Sequence, residues 1–263
     1  MDLQLAGKTA VVTGGSKGIG LAVVRLLLAE GMNVVSGSRT LTAELKETQA
    51  VAVIGDLSTP DGPRRLVGAA VDKFGGVDVL INNVGMGDHP EFVEGAVQSL
   101  ADLPDSEWER TFNLHFYSAL WATRAALPSL VQRGGVIVNV SSTAARDAST
   151  GPGNYSVAKA ALNALTRVIA LQYGPQGVRA ITVSPGPVST GTLTDPDGFI
   201  GQLAKRQGIT HTELVEQMSA TFAIPTQRIS TPEEVAQLIA FAASPNNING
   251  VDYLIDGGLV KAV

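Results

Sequence analysis

Short apolar runs rich in β-branched residues alternate with longer amphipathic stretches along the whole chain. Such runs predict buried strands, and seven of them occur: Lys8–Thr13, Asn33–Ser38, Val51–Asp56, Val77–Asn82, Gly135–Val140, Val178–Ser184 and Asp252–Asp256. Helical patterns separate them, over Leu21–Glu30, Pro60–Phe74, Ser106 to about Gln132, Tyr155 to about Tyr173, and from Thr231 onward. This alternation predicts an α/β fold, a single-domain doubly wound parallel sheet with helices on both faces.

Several helices carry sequence signals at their starts. Ser106 followed three residues later by Glu109 is the pattern of a capping box. Thr231 precedes a proline and two acidic residues, which is typical of an N-cap. Ser58 or Thr59 is expected to open the helix after the third strand.

Composition narrows the class of protein. At 263 residues, 44% of them hydrophobic, the chain can bury an ample core in one domain. The net charge is −5 and the 19 Lys and Arg residues are dispersed, which argues against nucleic acid or an anionic membrane as partner. Cysteine is absent, so disulfides and thiolate chemistry are excluded. No stretch reaches the roughly 18 uncharged apolar residues of a membrane span. We expect a cytoplasmic protein that acts on a small molecule and has no metal site.

A glycine-rich turn from Gly14 to Gly20 lies between the first predicted strand and the first predicted helix. Lacking a Cβ, Gly14 suits a tight turn, Gly18 lets the backbone approach a pyrophosphate, and Gly20 allows close packing of the helix. The helix N-terminus would face the phosphates. Three residues separate Gly14 from Gly18, which differs from the common G-x-G-x-x-G spacing. The flanking strand and helix favour a dinucleotide site.

The end of the second strand bears on the choice of cofactor. Ser38 and Arg39 lie there, with no acidic residue. An acid at this place binds the ribose 2′-hydroxyl of NAD, whereas an arginine suits the 2′-phosphate of NADP. Lys17 in the glycine turn is a second cation that can reach the same phosphate. The pattern predicts NADP (NADPH); the alternative is that both cations are ordinary solvated loop residues.

Other strand ends carry small or polar residues at the edge where an open sheet binds its ligand. Asp56 ends the third predicted strand and is expected to meet an adenine edge. Asn82, Asn83 and Gly85 close the fourth strand, although Asn82 also fits a hydrogen-bonded turn.

Two longer segments are expected to border the substrate. Residues 86–104 lack clear periodicity, as functional loops often do. Pro185–Gly186 lead out of the sixth strand to Thr190 and Thr192, whose hydroxyls can bind a cofactor amide, and residues from about 190 to 225 form a predicted substrate lid. The large apolar side chains of the two segments favour an apolar or mid-sized substrate: Phe92, Phe199, Met218 and Phe222.

The stretch from Ser142 to Lys159 carries the candidate chemistry. Tyr155 and Lys159 are four residues apart at the start of a predicted helix, so they share a face. An ammonium beside a phenol favours phenolate and is expected to lower the tyrosine pKa from about 10 toward neutrality. Ser142 can hydrogen-bond an oxygen held against that phenol. The trio predicts proton transfer at an oxygen alongside a hydride carrier, although a Tyr and a Lys at this spacing also occur on ordinary solvated helices.

Taken together, the motifs resemble those of the short-chain dehydrogenase/reductase family over essentially the whole chain, with 3-oxoacyl reductases of NADP preference as the nearest type. They are, in order, Thr13-Gly14-x-x-x-Gly18-Ile19-Gly20, Asn82-Asn83-Val84-Gly85, Ser142, Tyr155-x-x-x-Lys159, and Pro185-Gly186 with Thr190. Ser142 is preferred to Ser141 because it lies thirteen residues before Tyr155, the interval usual in the family.

The resemblance implies a Rossmann fold and hydride transfer between a nicotinamide and a carbonyl or alcohol. Tyr155 would be the general acid in reduction, Ser142 would polarise the substrate oxygen, and Lys159 would lower the tyrosine pKa and hold the nicotinamide ribose. The predicted cofactor-binding residues are Gly14, Ser16, Lys17, Gly18, Ile19, Ser38, Arg39, Asp56, Leu57, Asn83, Gly85, Tyr155, Lys159, Pro185, Gly186, Val188 and Thr190. The family commonly forms homotetramers through two long helices, so a homotetramer or homodimer is expected.

One position departs from the family pattern. An asparagine on the long helix usually orders a water beside the lysine, and the resemblance aligns His115 with that site, while Asn113 lies two residues earlier. Two residues on a helix are rotated by about 200°, so both cannot face the crevice. We take His115 as the predicted fourth catalytic residue; its imidazole either keeps the relay through a ring nitrogen or only fills space.

Three functions are compatible with these residues. The leading prediction is an NADP-dependent oxidoreductase that reduces a ketone, aldehyde or 3-oxoacyl group. An NAD-linked alcohol or sugar dehydrogenase uses the same chemistry and differs in the cofactor preference set by Arg39 and Lys17. A non-catalytic NADP-binding sensor or scaffold would be favoured by loss of Ser142, Tyr155 or Lys159, and all three are present.

Overall fold

A computed structural model describes residues 2–85, 100–191, 195–196, 199–221 and 224–261. Its centre is one parallel sheet of seven strands in the order β3-β2-β1-β4-β5-β6-β7. The strands are β1 Thr9–Thr13, β2 Asn33–Ser38, β3 Val51–Ile54, β4 Val79–Asn82, β5 Val136–Val140, β6 Arg179–Pro185 and β7 Asp252–Ile255. The predicted doubly wound sheet is confirmed, and the strand order reverses direction between β1 and β4, where ligands of such sheets bind.

Helices connect the strands and cover the sheet. They are α1 Gly18–Ala29, α2 Ala43–Lys46, α3 Asp61–Phe74, α4 Asp105–Phe112, α5 Ser118–Arg133, α6 Gly153–Tyr173, α7 Phe199–Gln207, α8 His211–Thr221 and α9 Pro232–Ala243. A π-helical turn, Asn113–Tyr117, joins α4 to α5, so the predicted single long helix is interrupted. A short 3-10 turn, Thr143–Ala145, follows β5.

The core has two layers because successive strand residues point to opposite faces. Val12 and Val138 pack on one face with α1 and α9, where Leu27 and Ile239 are buried. Val11 packs on the other face against one buried side chain from each of three helices: Leu66 of α3, Leu130 of α5 and Ile169 of α6. This double burial explains why strands such as β1 and β5 contain runs of consecutive apolar residues rather than an alternating pattern.

Two predicted helix starts are wrong and one is confirmed. The α4 helix begins one residue before Ser106, with a proline at the N-cap and no side-chain cap, so the capping box with Glu109 does not form. Ser58 and Thr59 do not cap α3, because the Ser58 hydroxyl donates to the Asp56 carboxylate (2.7 Å) and the Thr59 hydroxyl to the Asp56 carbonyl (3.1 Å).

The predicted N-cap of α9 is present. The Thr231 hydroxyl accepts from the backbone N–H of Glu234 at 3.2 Å, and the Glu234 carboxylate accepts from the backbone N–H of Thr231 at 2.9 Å. This capping box holds the helix that packs beside α1. No helix within the described ranges is long and apolar enough to cross a membrane. In the same part of the chain, no group of three potential metal ligands comes together.

Candidate active site

The glycine turn lies at the carboxyl end of β1 and leads directly into α1. Gly14 has φ 73° and Gly18 has φ 51°, a left-handed conformation that favours glycine. A Cβ on Gly20 would collide with the Gly14 carbonyl oxygen, so close packing of helix and turn requires glycine there. A Cβ on Gly18 would lie 3.0 Å from Cγ2 of Thr190, which places the turn beside the loop after β6.

The amino end of α1 fits a dinucleotide pyrophosphate. Lys17 is its N-cap residue and makes no side-chain capping hydrogen bond. An uncapped helix N-terminus leaves backbone N–H groups and the positive end of the helix dipole for an anion. Ser16 and Ile19 flank this turn, both half-buried.

The loop after β2 meets the glycine turn. The Thr42 hydroxyl donates to the Ser16 carbonyl at 2.9 Å, which ties the two segments together. Ser38 is buried at the end of β2, and its hydroxyl donates to the Thr40 carbonyl at 2.8 Å. Arg39 and Lys17 are both exposed on these two connected segments. The two cations predicted to bind a 2′-phosphate therefore lie on segments that are hydrogen-bonded to each other.

The end of β4 is fixed to β1 by side-chain hydrogen bonds. The Asn83 amide donates to the carbonyls of Thr13 (3.0 Å) and Gly14 (3.1 Å), while the Thr13 hydroxyl accepts from the backbone N–H of Asn83 at 2.9 Å. Asn82 is buried, and its amide donates to the Asn139 side chain at 2.8 Å. Gly85 is exposed just after β4. Asn83 therefore fixes the backbone around Gly14, where the dinucleotide site is predicted.

The remaining predicted cofactor residues occupy neighbouring strand ends. Asp56 is exposed after β3, and Leu57 beside it is buried. Pro185 is the last residue of β6, and the backbone N–H of Gly186 donates to the Ile255 carbonyl at 3.0 Å. Val188 is buried and precedes Thr190. Asp56 and Leu57 thus lie at the β3 edge, whereas the residues after β6 lie on the other side of the switch point.

Ser142 and Tyr155 come together beyond the carboxyl end of β5. Ser142 follows β5 and its hydroxyl accepts from the backbone N–H of Ala144 at 3.2 Å, which orients the side chain. The same hydroxyl is hydrogen-bonded to the phenol of Tyr155, in the first turn of α6. Ser141 faces elsewhere, since it is buried and its hydroxyl donates to the Lys159 carbonyl at 3.3 Å.

Lys159 lies one helical turn beyond Tyr155 and is buried. Its ammonium donates to the Val140 carbonyl at 2.8 Å and lies 5.7 Å from the centroid of the Tyr155 ring. Burial lowers the pKa of Lys159 to about 7. Burial also disfavours the charged form of Tyr155, which for a phenol means that its pKa is raised; the hydrogen bond from Ser142 opposes that rise. The prediction that Lys159 brings the Tyr155 pKa below its usual value is therefore wrong for this structure, because desolvation dominates both groups.

His115 lies on the π-helical turn, buried against Tyr155. A Cβ on Gly85 would lie 3.2 Å from Cε1 of His115, so the imidazole also borders the end of β4. Burial lowers the pKa of His115 well below its usual value, and the positive charges of Lys159 and Arg110 lower it further. The imidazole is therefore neutral at pH 7. Within the described residues, neither ring nitrogen has a hydrogen-bond partner.

The π-helical turn is a feature that sequence reasoning missed. The Ser118 hydroxyl donates to the Leu114 carbonyl at 2.5 Å, one turn back, where the backbone hydrogen bonds are rearranged. Such turns often occur at functional sites. A serine shortly after a histidine is too common to have signalled it.

The predicted substrate border is only partly described. The lid segment contains α7 and α8, and its role as a lid stays a prediction. Phe92, Thr192 and Phe222 lie outside the described residues, as do the side chains of Phe199 and Met218.

Comparisons with known proteins agree with this geometry. The pattern of the short chain dehydrogenase family matches residues 8–197. D-beta-hydroxybutyrate dehydrogenase of Rhizobium meliloti is 31% identical over 264 residues, covering 95% of this chain and 98% of that protein. The 3-oxoacyl-(acyl-carrier-protein) reductase of Vibrio cholerae is 30% identical over 269 residues, with 98% and 99% covered. The solved structure of L-sorbose reductase from Gluconobacter frateurii, complexed with NADPH and L-sorbose, has a TM-score of 0.90 at 28% identity and 100% coverage of both chains. The chain belongs to the short chain dehydrogenase family and is an oxidoreductase of the kind that binds a nicotinamide cofactor.

Proposed function

We propose that this protein reduces a small carbonyl compound, a ketone, an aldehyde or a 3-oxoacyl group, with NADPH. The observation that carries the proposal is the hydrogen bond between the Ser142 hydroxyl and the Tyr155 phenol. A carbonyl oxygen placed between them accepts from both hydroxyls. Because burial raises the pKa of Tyr155, the phenol keeps its proton at neutral pH and can donate it to that oxygen. NADPH, when bound, supplies the hydride to the carbonyl carbon.

The charges at the end of β2 support NADPH over NADH. Arg39 follows Ser38 directly, and the tie between Thr42 and Ser16 keeps Lys17 on the adjoining segment. Two cations, with no acid at the end of β2 itself, suit a 2′-phosphate better than the ribose 2′-hydroxyl of NADH. The related L-sorbose reductase was solved with NADPH, which agrees with this assignment.

His115 supplies the fourth polar group of the proposed site. Its ring nitrogens find no partner in the described part of the chain, and a buried imidazole left so costs free energy unless a water or ligand group fills its hydrogen-bonding positions. As a neutral ring it has one donor and one acceptor nitrogen, which suits a water that bridges toward Lys159. We assign to His115 the task of holding that water, through which Tyr155 and Lys159 are reprotonated.

The competing function is an NAD-linked alcohol or sugar dehydrogenase. Ser142, Tyr155 and Lys159 can catalyse the oxidation of an alcohol if Tyr155 is ionised. The similarity to a D-beta-hydroxybutyrate dehydrogenase supports this candidate. The raised pKa of Tyr155 favours reduction at neutral pH over oxidation, which needs phenolate.

An apolar stripe on α6 supports assembly with further copies of the chain. Val157, Val168 and Leu171 are all exposed and recur at intervals of eleven and three residues, which places them on one helix face. Stacked rings of Tyr117, at the end of the π-helical turn, and Trp121, in the first turn of α5, have centroids 5.6 Å apart and add to this apolar surface. A homodimer or homotetramer formed through α5 and α6 would bury both.

The test is a titration of the purified protein with NADPH and with NADH, followed by cofactor fluorescence, together with a panel of ketones, aldehydes, 3-oxoacyl thioesters and sugars. Preferential binding of NADPH with substrate-dependent loss of NADPH is the expected result. Turnover with NAD and alcohols only would favour the dehydrogenase. NADPH binding without turnover across the panel would favour a sensing role.

A further inference from the structure

A single carboxylate, that of Asp252 at the start of β7, joins three elements around the site. It accepts from the Ser184 hydroxyl at 2.6 Å, from the Asn163 amide at 3.0 Å and from Nε of Arg146 at 2.9 Å. Nη2 of Arg146 also donates to the Asp252 carbonyl at 3.2 Å. Two bonds from one guanidinium to one residue fix the position of the arginine as well as its charge.

Arg146 is directly connected to Ser142. The 3-10 turn Thr143–Ala145 joins them, and the backbone N–H of Arg146 donates to the Thr143 carbonyl at 2.9 Å. The backbone N–H of Ala144 donates to the Ser142 hydroxyl at 3.2 Å. Anchoring Arg146 at its far end therefore limits how far this turn, and the hydroxyl it orients, can move.

Asn163 provides the second connection. It lies one helical turn beyond Lys159 on α6, the helix that also carries Tyr155. Its bond to Asp252 fixes α6 against the same carboxylate that holds Arg146. The loop that carries Ser142 and the helix that carries Tyr155 are thus both hydrogen-bonded to the same residue of β7, Asp252.

We propose that Asp252 and Arg146 act as positioning residues that hold the Ser142 hydroxyl against the Tyr155 phenol. The effect on turnover rests on the proposed reductase function. The effect on the hydrogen bond between Ser142 and Tyr155 does not, and it is measurable without any substrate.

The chain offers a matched control. Nη1 of Arg133 contacts the Asp78 carboxylate at 3.1 Å, with the two side chains 31% and 17% exposed, against 37% and 13% for Arg146 and Asp252. That pair links α5 to the residue just before β4, at the opposite edge of the sheet from the strand carboxyl ends. Arg133→Ala removes an ion pair of the same kind and exposure without touching the loop of Ser142.

The first experiment measures kcat and the NADPH dissociation constant in the full-length enzyme. Arg146→Ala is expected to lower kcat on the order of tenfold, because small displacements of a catalytic group are costly, and to leave NADPH binding unchanged. Arg133→Ala is expected to leave both unchanged. In a Ser142→Ala background, Arg146→Ala is expected to cause no further loss. A further loss of similar size would overturn the proposal, because Arg146 would then act other than through Ser142.

The second experiment follows ionisation of Tyr155 by ultraviolet difference titration, each variant being compared with its Tyr155→Phe counterpart. Loss of the bond from Ser142 destabilises phenolate, so the Tyr155 pKa in Arg146→Ala should rise toward its value in Ser142→Ala. Arg146→Lys, which keeps the charge but loses the two-bond geometry, should also raise it. If Arg146 acted on Tyr155 only through its charge, Arg146→Lys would have the wild-type Tyr155 pKa, and Arg146→Ala would still raise the Tyr155 pKa in a Ser142→Ala background. Either result would overturn the proposal. An inactive protein with the expected titration would reject the reductase function and retain the positioning role.

Discussion

The imidazole of His115 lies edge-on to the ring of Tyr155, with ring centroids 5.0 Å apart and an angle of 85° between the planes. This contact places beside the proposed acid two ring nitrogens that have no hydrogen-bond partner among the residues that the structure describes. The contact is not explained by packing alone, because an apolar side chain would fill the space without leaving buried polar atoms unsatisfied.

Two substitutions of His115 distinguish a role in proton relay from a role in packing alone. His115→Asn keeps a donor and an acceptor, so we expect kcat within about threefold of the wild type, whereas His115→Leu should lower kcat by roughly tenfold to a hundredfold because no group holds the water. Steady-state kinetics of both variants at saturating NADPH give the comparison. Equal kcat for His115→Leu and the wild type would show that the histidine only packs. The NADPH dissociation constant serves as the control and should not change.

Loss of the Tyr155 hydroxyl removes the proposed acid. Tyr155→Phe should lower kcat by at least about a hundredfold, since a positioned general acid contributes on the order of 10²–10⁴. Binding of NADPH, measured by fluorescence, should remain close to that of the wild type. The matched variant is Tyr173→Phe, at the far end of α6, which should leave kcat unchanged. Turnover of Tyr155→Phe at the wild-type rate would rule out the mechanism.

Arg39 is expected to set the preference for NADPH. A hydrogen bond to a charged group contributes about 1.5–3 kcal/mol, so Arg39→Asp should weaken NADPH binding by about tenfold or more and leave NADH binding equal or stronger. Arg25→Asp makes the same charge change at an exposed position further along α1 and should affect both cofactors little. Equal losses of NADPH affinity in the two variants would mean that Arg39 acts only through net charge.

The fold could be predicted because its signals are local. Strand β2 has the predicted bounds, because a short run of β-branched and small residues lies between a glycine-containing turn and the charged Arg39. The shared face of Tyr155 and Lys159 likewise follows from helical spacing alone. These features depend on residues close in sequence.

The electrostatics of the site could not be predicted in the same way. The pKa of Lys159 depends on desolvation by residues from several elements, so the spacing to Tyr155 gave the wrong sign for the tyrosine shift. The capping box predicted at Ser106 is wrong for a different, local reason: the helix begins one residue earlier, at Asp105, with Pro104 as its N-cap. The contacts of Asp252 join residues up to 106 positions apart and have no sequence signature.

Burial of Lys159 predicts a pH-dependent stability. The pKa falls from 10.5 to about 7 on folding, so between these values the folded state binds fewer protons than the unfolded state and stability rises with pH. Below pH 7 the lysine is charged in both states and the full cost of burying the charge remains. Lys159→Met should therefore be more stable than the wild type in acid, by on the order of a few kcal/mol, and the difference should shrink as pH rises through this window.

Denaturant unfolding across this pH range checks the prediction for Lys159. Lys46→Met replaces an exposed lysine at the end of α2 and should give a difference from the wild type that does not vary with pH in the window. A constant difference for Lys159→Met would show that the lysine keeps an ordinary pKa in the folded protein.

Leu171 tests the proposed assembly. Leu171 and Leu100 are both 78% exposed, but only Leu171 lies on the apolar stripe of α6. If copies of the chain associate through that stripe, Leu171→Glu buries an unpaired charge at the interface and should lower the molar mass measured by light scattering after size-exclusion chromatography. Leu100→Glu introduces the same charge outside the stripe and should leave the mass unchanged. A wild-type protein that is already monomeric would exclude assembly through this face. A Leu171→Glu variant that keeps an oligomeric mass would exclude it as well, because an interface cannot bury a charge without a partner at low cost.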